Sequence, residues 1–139
     1  MTGRTLVLDS EAVSALARRD QQMLAALTAA QEANLRVLVP AVVLTELMTG
    51  RPTDAAVWHV VNRVVVVDVT AGIAAQAGAL RERGSRTRSK KRDLTVDAIV
   101  AAVATAHAPS LLVTADPSDM SLLTAGANVT TATVDGRRS

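Results

Sequence analysis

The chain has 139 residues, 49% of them hydrophobic, which suits one domain (residues 1–139) around one core. It has no cysteine, which excludes disulfides, thiolate zinc sites and cysteine nucleophiles and fits a reducing cytoplasm. The net charge is +2, yet residues 81–92 carry +6, leaving −4 for the rest of the chain.

Thr5–Leu8 predicts a short buried strand. Its four residues before Asp9 are too short a run for the core of a signal peptide. Ser10 is placed to cap a helix from Glu11 to about Arg19, with acid at its start and Arg18 and Arg19 at its end. Asp20 caps a second helix to about Ala33, and Arg36–Val39 is the next strand. Pro40 suits the first turn of a helix that runs to Thr49 and stops at Gly50. A helix around Ala55–Asn62 follows, and then the β-branched run Arg63–Val69, which predicts a fully buried strand. Thr70 caps a helix through about Arg83, and the basic segment follows as a loop.

Asp93 is placed to cap a helix to about Ala106, whose Ala, Ile and Val spacing predicts burial on nearly all sides. The apolar stretch from Val96 to Ala108 carries Asp97 and His107, so it is too short and too polar to span a bilayer. Pro109 and Ser110 lead into the strand Leu111–Val113. Asp116-Pro117-Ser118 start a short helix that ends by Gly126, and Val129–Val134 is a last strand. Strands alternating with helices predict a three-layer α/β/α sandwich around a mostly parallel five-stranded sheet. Sites in such sheets lie beyond the carboxyl ends of the strands.

Four acids interrupt apolar stretches. Asp9 follows Thr5-Leu6-Val7-Leu8, Glu46 lies within Ala41–Met48, Asp97 opens Ala98–Val103, and Asp116 closes Leu111–Ala115. A carboxylate at the edge of a core is costly unless something pairs with it. A hard divalent cation is the simplest common partner, since Mg²⁺ prefers carboxylate oxygens and leaves positions for phosphate oxygens. Each acid also has a plainer reading: Asp9 and Asp116 as turn residues, Glu46 as a side chain reaching solvent, Asp97 as a helix-dipole partner, Asp119 as an exposed first-turn acid. Taken together, acids at one predicted sheet edge repel one another and call for a cation.

The basic segment suits a polyanion that must approach such an edge. Trp58 is the sole aromatic residue, so base stacking is not the expected mode of binding. His59 and His107 read as a surface residue and a helix C-terminal residue, not as ligands. No Gly-rich phosphate loop is present.

With these residues in place, the chain resembles a PIN-domain ribonuclease, more narrowly the VapC-type toxins of toxin–antitoxin pairs. The matching pieces are Leu6-Val7-Leu8-Asp9-Ser10, Val43-Leu44-Thr45-Glu46-Leu47, Asp97-Ala98-Ile99-Val100-Ala101-Ala102 and Leu112-Val113-Thr114-Ala115-Asp116-Pro117-Ser118-Asp119. The resemblance implies that Asp9, Glu46, Asp97 and Asp116 form a Mg²⁺ site, with Mn²⁺ as a substitute and Asp119 as an additional acid. Thr114 and Ser10 would support it. It further implies an RNA substrate cleaved to a 3′-hydroxyl and a 5′-phosphate, a small antitoxin partner, and a homodimer. The basic segment is less typical of the family; Arg86, Arg88, Lys90, Lys91 and Arg92 are candidates to guide the RNA backbone. Two other readings compete. One is a Mg²⁺-dependent phosphatase of the haloacid-dehalogenase type, with Glu11 as its second acid. The other is a catalytically silent RNA-binding module.

Overall fold

A computed structural model describes residues 4–87 and 93–135. Its sheet has five strands, β1 (Thr5–Leu8), β2 (Arg36–Pro40), β3 (Val65–Val67), β4 (Ser110–Val113) and β5 (Val129–Ala132), in the order β3-β2-β1-β4-β5. Every pairing is parallel. The helices are α1 (Ser10–Ala17), α2 (Gln21–Glu32), α3 (Leu44–Leu47), α4 (Ala55–Val61), α5 (Ala71–Thr87), α6 (Thr95–Ala106) and α7 (Pro117–Leu123). Helix α1 packs with α2 and α4, while α5, α6 and α7 pack with one another, so the expected sandwich is present.

The strand order turns back on itself at β1. From β1 the chain builds outward through β2 and β3, then returns to place β4 and β5 on β1's other side. The gap beyond the carboxyl ends of β1 and β4 is therefore the topological switch point, where an open parallel sheet offers a crevice.

The core explains why α6 is so poor in large side chains. Ala98, Val100, Ala101, Ala102, Val103 and Ala104 are all buried, because α6 lies between the sheet and α5 and has almost no solvent face. Small residues let its backbone approach both neighbours. Leu8, Leu38 and Leu112 fill the sheet's centre, and each such burial stabilises by about 1.5–3 kcal/mol.

Four local expectations need correction. The run Arg63–Val69 is not a fully buried strand: only Val65–Val67 is strand, it lies at the sheet edge, and Val65 is 50% exposed. The helix expected from Pro40 to Thr49 is a 3₁₀ turn, Ala41–Val43, followed by the single turn of α3. Asp54 stops it there. Its carboxylate accepts from Thr49 N, Gly50 N and the Thr49 hydroxyl at 3.0, 2.7 and 2.8 Å, and Gly50 turns with φ +77°. Helix α5 continues past Arg83 to Thr87, so the first part of the basic segment is helix and not loop. Helix α6 starts at Thr95, and Asp93 binds its first residue instead of serving as the N-cap.

Candidate active site

Asp9 sits where β1 ends. Its backbone N–H donates to Val113 O at 3.0 Å, one step past the last β1–β4 pair, so it is fixed in register with the end of β4. It, and not Ser10 as expected, is also the N-cap of α1, accepting from Ser10 N at 2.8 Å through one carboxylate oxygen while Ser10 is the first helical residue. The other oxygen accepts from the Thr114 hydroxyl at 2.8 Å. That hydroxyl in turn accepts from Asp116 N at 3.1 Å. Thr114 is fully buried, and its N–H continues the ladder to β5 through Ala132 O. One threonine thus links the ends of β1 and β4, aiming the Asp9 carboxylate and holding the backbone of Asp116. Ser10 contributes through its backbone N–H.

Asp116 is the N-cap of α7, with Pro117 at the first helical position, and accepts from Asp119 N at 3.4 Å. Asp119 lies one turn into α7 and is 9% exposed, not the exposed first-turn acid that its local sequence suggests. Asp97 lies in the first turn of α6. The carboxylates of Asp97, Asp116 and Asp119 offer oxygens that all lie within 4.8 Å of one another. Two elements, the first turn of α6 and the start of α7, therefore deliver three acids to one point.

Asp9 and Glu46 join this group electrostatically. The Asp9 carboxyl is pushed up to about 6, first by burial, then by the negative charges of Asp97 and Glu46. Hydrogen bonds from Ser10 N and the Thr114 hydroxyl oppose that rise without cancelling it. Glu46 is exposed on α3, so its expected apolar surroundings are not what places it. The break after Leu47 means that Gly50 is not its helical neighbour; α3 instead packs against α1 and presents Glu46 at the rim.

The donor set fits a divalent cation. Hard carboxylate oxygens converge to within 4.8 Å, close enough for one ion to draw them together, and the charges of Asp97 and Glu46 already bear on Asp9. Glu11, the second acid of the phosphatase reading, is exposed on α1 and faces Arg18 at 3.7 Å. His107 is the C-cap of α6 and its Nδ1 lies 2.9 Å from Val103 O; His59 is exposed in the last turn of α4. Neither belongs to the acidic group. Arg86 is exposed and faces Glu82 at 3.3 Å, while Arg88, Lys90, Lys91 and Arg92 lie outside the described residues.

The PIN domain family model matches residues 6–121, a span that includes all five acids. The chain belongs to the PIN-domain family. PIN domains are generally nucleases, which places this one among the hydrolases. No curated protein matches it in sequence. Among solved structures, this PIN domain resembles a chain of VapBC2 from Rickettsia felis bound to a DNA fragment from their promoter. The TM-score is 0.74 at 14% identity, covering 93% of this chain and 98% of that one. A chain of DNA-bound VapBC from Salmonella typhimurium gives 0.71 at 16% identity, covering 91% and 97%. A chain of FitAcB from Neisseria gonorrhoeae gives 0.60 at 17% identity, covering 90% and 96%. These likenesses establish a shared fold over nearly the whole length.

Proposed function

We propose that this PIN domain is a Mg²⁺- or Mn²⁺-dependent endoribonuclease and the toxin of a toxin–antitoxin pair. The observation that carries the reading is the convergence of Asp97, Asp116 and Asp119 at the switch point, with Asp9 beside them under the charge of Asp97. Asp9, Glu46, Asp97, Asp116 and Asp119 would hold the ion. Once bound, it would lower the pKa of a coordinated water and neutralise charge on the scissile phosphate. The protein's own part is positional. Thr114 holds the Asp9 carboxylate and the backbone of Asp116, and a bound cation would offset the burial and acidic charge that push the Asp9 carboxyl up, keeping it ionised. No side chain serves as nucleophile, and cleavage would leave a 3′-hydroxyl and a 5′-phosphate. The experiment is cleavage of an RNA pool with Mg²⁺, with Mn²⁺ and in EDTA. Cleavage that requires the ion and leaves 5′-phosphates is the expected result, and equal cleavage in EDTA would refute the reading.

The antitoxin partner is proposed because the structures with this fold are VapBC and FitAB complexes. A homodimer and a cytoplasmic location belong to the same proposal. Among the described residues, no helix is long and apolar enough to cross a membrane.

The basic segment is proposed to hold the RNA backbone. It concentrates positive charge in a chain whose remainder is acidic, and its described part ends helix α5. Replacing Arg86, Arg88, Lys90, Lys91 and Arg92 together with Gln should weaken RNA binding. Every phosphate that the variant no longer neutralises should also reduce the magnitude of the slope of log K against log salt by about 0.7 for single-stranded RNA. Binding curves from low to moderate salt measure this, and identical slopes would assign the segment another role.

A further inference from the structure

Helix α5 touches the start of α6 at two places. Arg81 donates from Nη1 to the Thr95 hydroxyl at 2.9 Å. The Thr95 hydroxyl and its N–H both donate to Asp93 Oδ1, at 2.7 and 3.0 Å. The N-cap of α6 is Leu94, which has no polar side chain, so this three-residue clamp replaces the missing cap. One turn along α5, Gly84 is buried. A Cβ there would lie 3.0 Å from Leu123 Cδ2 and 3.6 Å from Leu94 Cδ1. Leu94 opens α6, three residues before Asp97, and Leu123 lies on α7, four residues after Asp119. The same helix therefore braces the two helices whose first turns carry two of the three converging acids.

We infer that Thr95, held by Arg81 and Asp93, is a positioning residue that sets the first turn of α6 so that Asp97 meets Asp116 and Asp119. This rests on the metal reading of the acidic cluster. The physical reason is leverage. Asp97 lies in the first helical turn, where backbone N–H groups lack intrahelical partners and the end frays unless capped. A frayed turn moves the Asp97 carboxylate relative to the two acids held at the start of α7. The clamp prevents this by closing the turn at Thr95 and tying it to a long helix that Gly84 seats closely against α7. Arg81 is consequently engaged in structure, although it belongs to the basic segment by sequence.

The test is Mn²⁺ binding to the metal-free chain by calorimetry, well below the thermal midpoint, with RNA binding in EDTA measured alongside. Thr95→Val keeps the shape and removes the hydroxyl, and should weaken Mn²⁺ binding about tenfold, as losses behind metal ligands do. Thr95→Ser, which keeps the hydroxyl, should bind Mn²⁺ as the parent does. RNA binding in EDTA should be the same in all three. Unchanged Mn²⁺ affinity in Thr95→Val, or equal weakening in Thr95→Ser, overturns the inference. If Thr95→Val does not fold, Arg81→Gln decides. Arg81 is exposed, so that variant keeps the fold, and weakened Mn²⁺ binding supports the clamp while parental binding overturns it. A parent chain that binds no Mn²⁺ overturns the metal reading and this inference with it.

Discussion

Asp97→Asn should lower the rate of metal-dependent RNA cleavage by about a thousandfold or more while leaving the fold in place. Asp97 is the acid that both halves of the site share. Its oxygens lie within 4.8 Å of those of Asp116 and Asp119, and its charge is the largest acidic contribution acting on Asp9. Removing it takes one ligand from the proposed ion and loosens the link between the ion and Asp9. The charge stabilisation a bound metal gives a phosphoryl transition state is several kcal/mol, and each ~1.4 kcal/mol is tenfold in rate. The structural cost is small by comparison. Asp97 is only partly buried, Asn has nearly its size, and losing a carboxylate from a first helical turn costs roughly 0.3–1 kcal/mol. Cleavage rates at saturating Mg²⁺, with thermal melts of the same samples, measure both parts. Parental activity in the variant would remove Asp97 from the site, and a melt that loses cooperativity would show that its role is structural.

The sequence made the edge of the site legible because two short apolar runs end in an acid. A buried strand must stop somewhere, and a charged residue directly after Leu8 or two residues beyond Thr114 marks the point where the chain leaves the core. Parallel topology then puts both ends on the same edge without further information. The depth of Asp119 was not legible in the same way. Read locally it is a first-turn acid on a short helix, and only the placement of α7 over the switch point buries it beside Asp116. Glu46 errs the other way, since apolar sequence neighbours suggest burial but Asp54 ends the helix early and leaves it exposed.

The same limit governs the elements. A run of valines such as Val64–Val67 carries the same local signal at a sheet edge as at its centre, so strand order decides its exposure. Gly84 and Ser85 look like helix breakers in an isolated segment. Gly84 lies instead inside α5, where the absence of a Cβ lets the helix approach Leu94 and Leu123. The helix cost of glycine, about 1 kcal/mol, is offset by contacts that only the folded chain supplies. Only the family resemblance singles out Thr114: by itself a threonine ending a strand is ordinary, and its link between Asp9 and Asp116 exists only across the β1–β4 pair.

Asp9→Asn should stabilise the metal-free protein at pH 7 and destabilise it in acid. The Asp9 carboxyl titrates near 6 in the folded chain against 3.8 as its ordinary value, so the folded state holds its proton more tightly. Stability of the parent therefore falls as pH rises from about 4 to about 6, because the unfolded chain binds fewer protons over that interval. The full drop is about 3 kcal/mol, at ~1.4 kcal/mol per pKa unit. Asn escapes it. It retains one acceptor oxygen, but its amide group can serve only one of the two bonds from Ser10 N and the Thr114 hydroxyl, a loss of about 1 kcal/mol. The net expectation is a gain of about 2 kcal/mol at neutral pH and a loss of about 1 kcal/mol below pH ~4, crossing near pH ~4.5. Urea unfolding of both proteins in EDTA across this range gives the difference directly, because every other titrating group is common to both. Saturating Mg²⁺ should then shrink the neutral-pH gain, since the ion stabilises the parent by mass action and finds one ligand fewer in the variant. Parallel stability curves for parent and variant would show that Asp9 is not strained by its neighbours. A gain at pH 7 that Mg²⁺ leaves unchanged would keep the strain and remove Asp9 from the metal site.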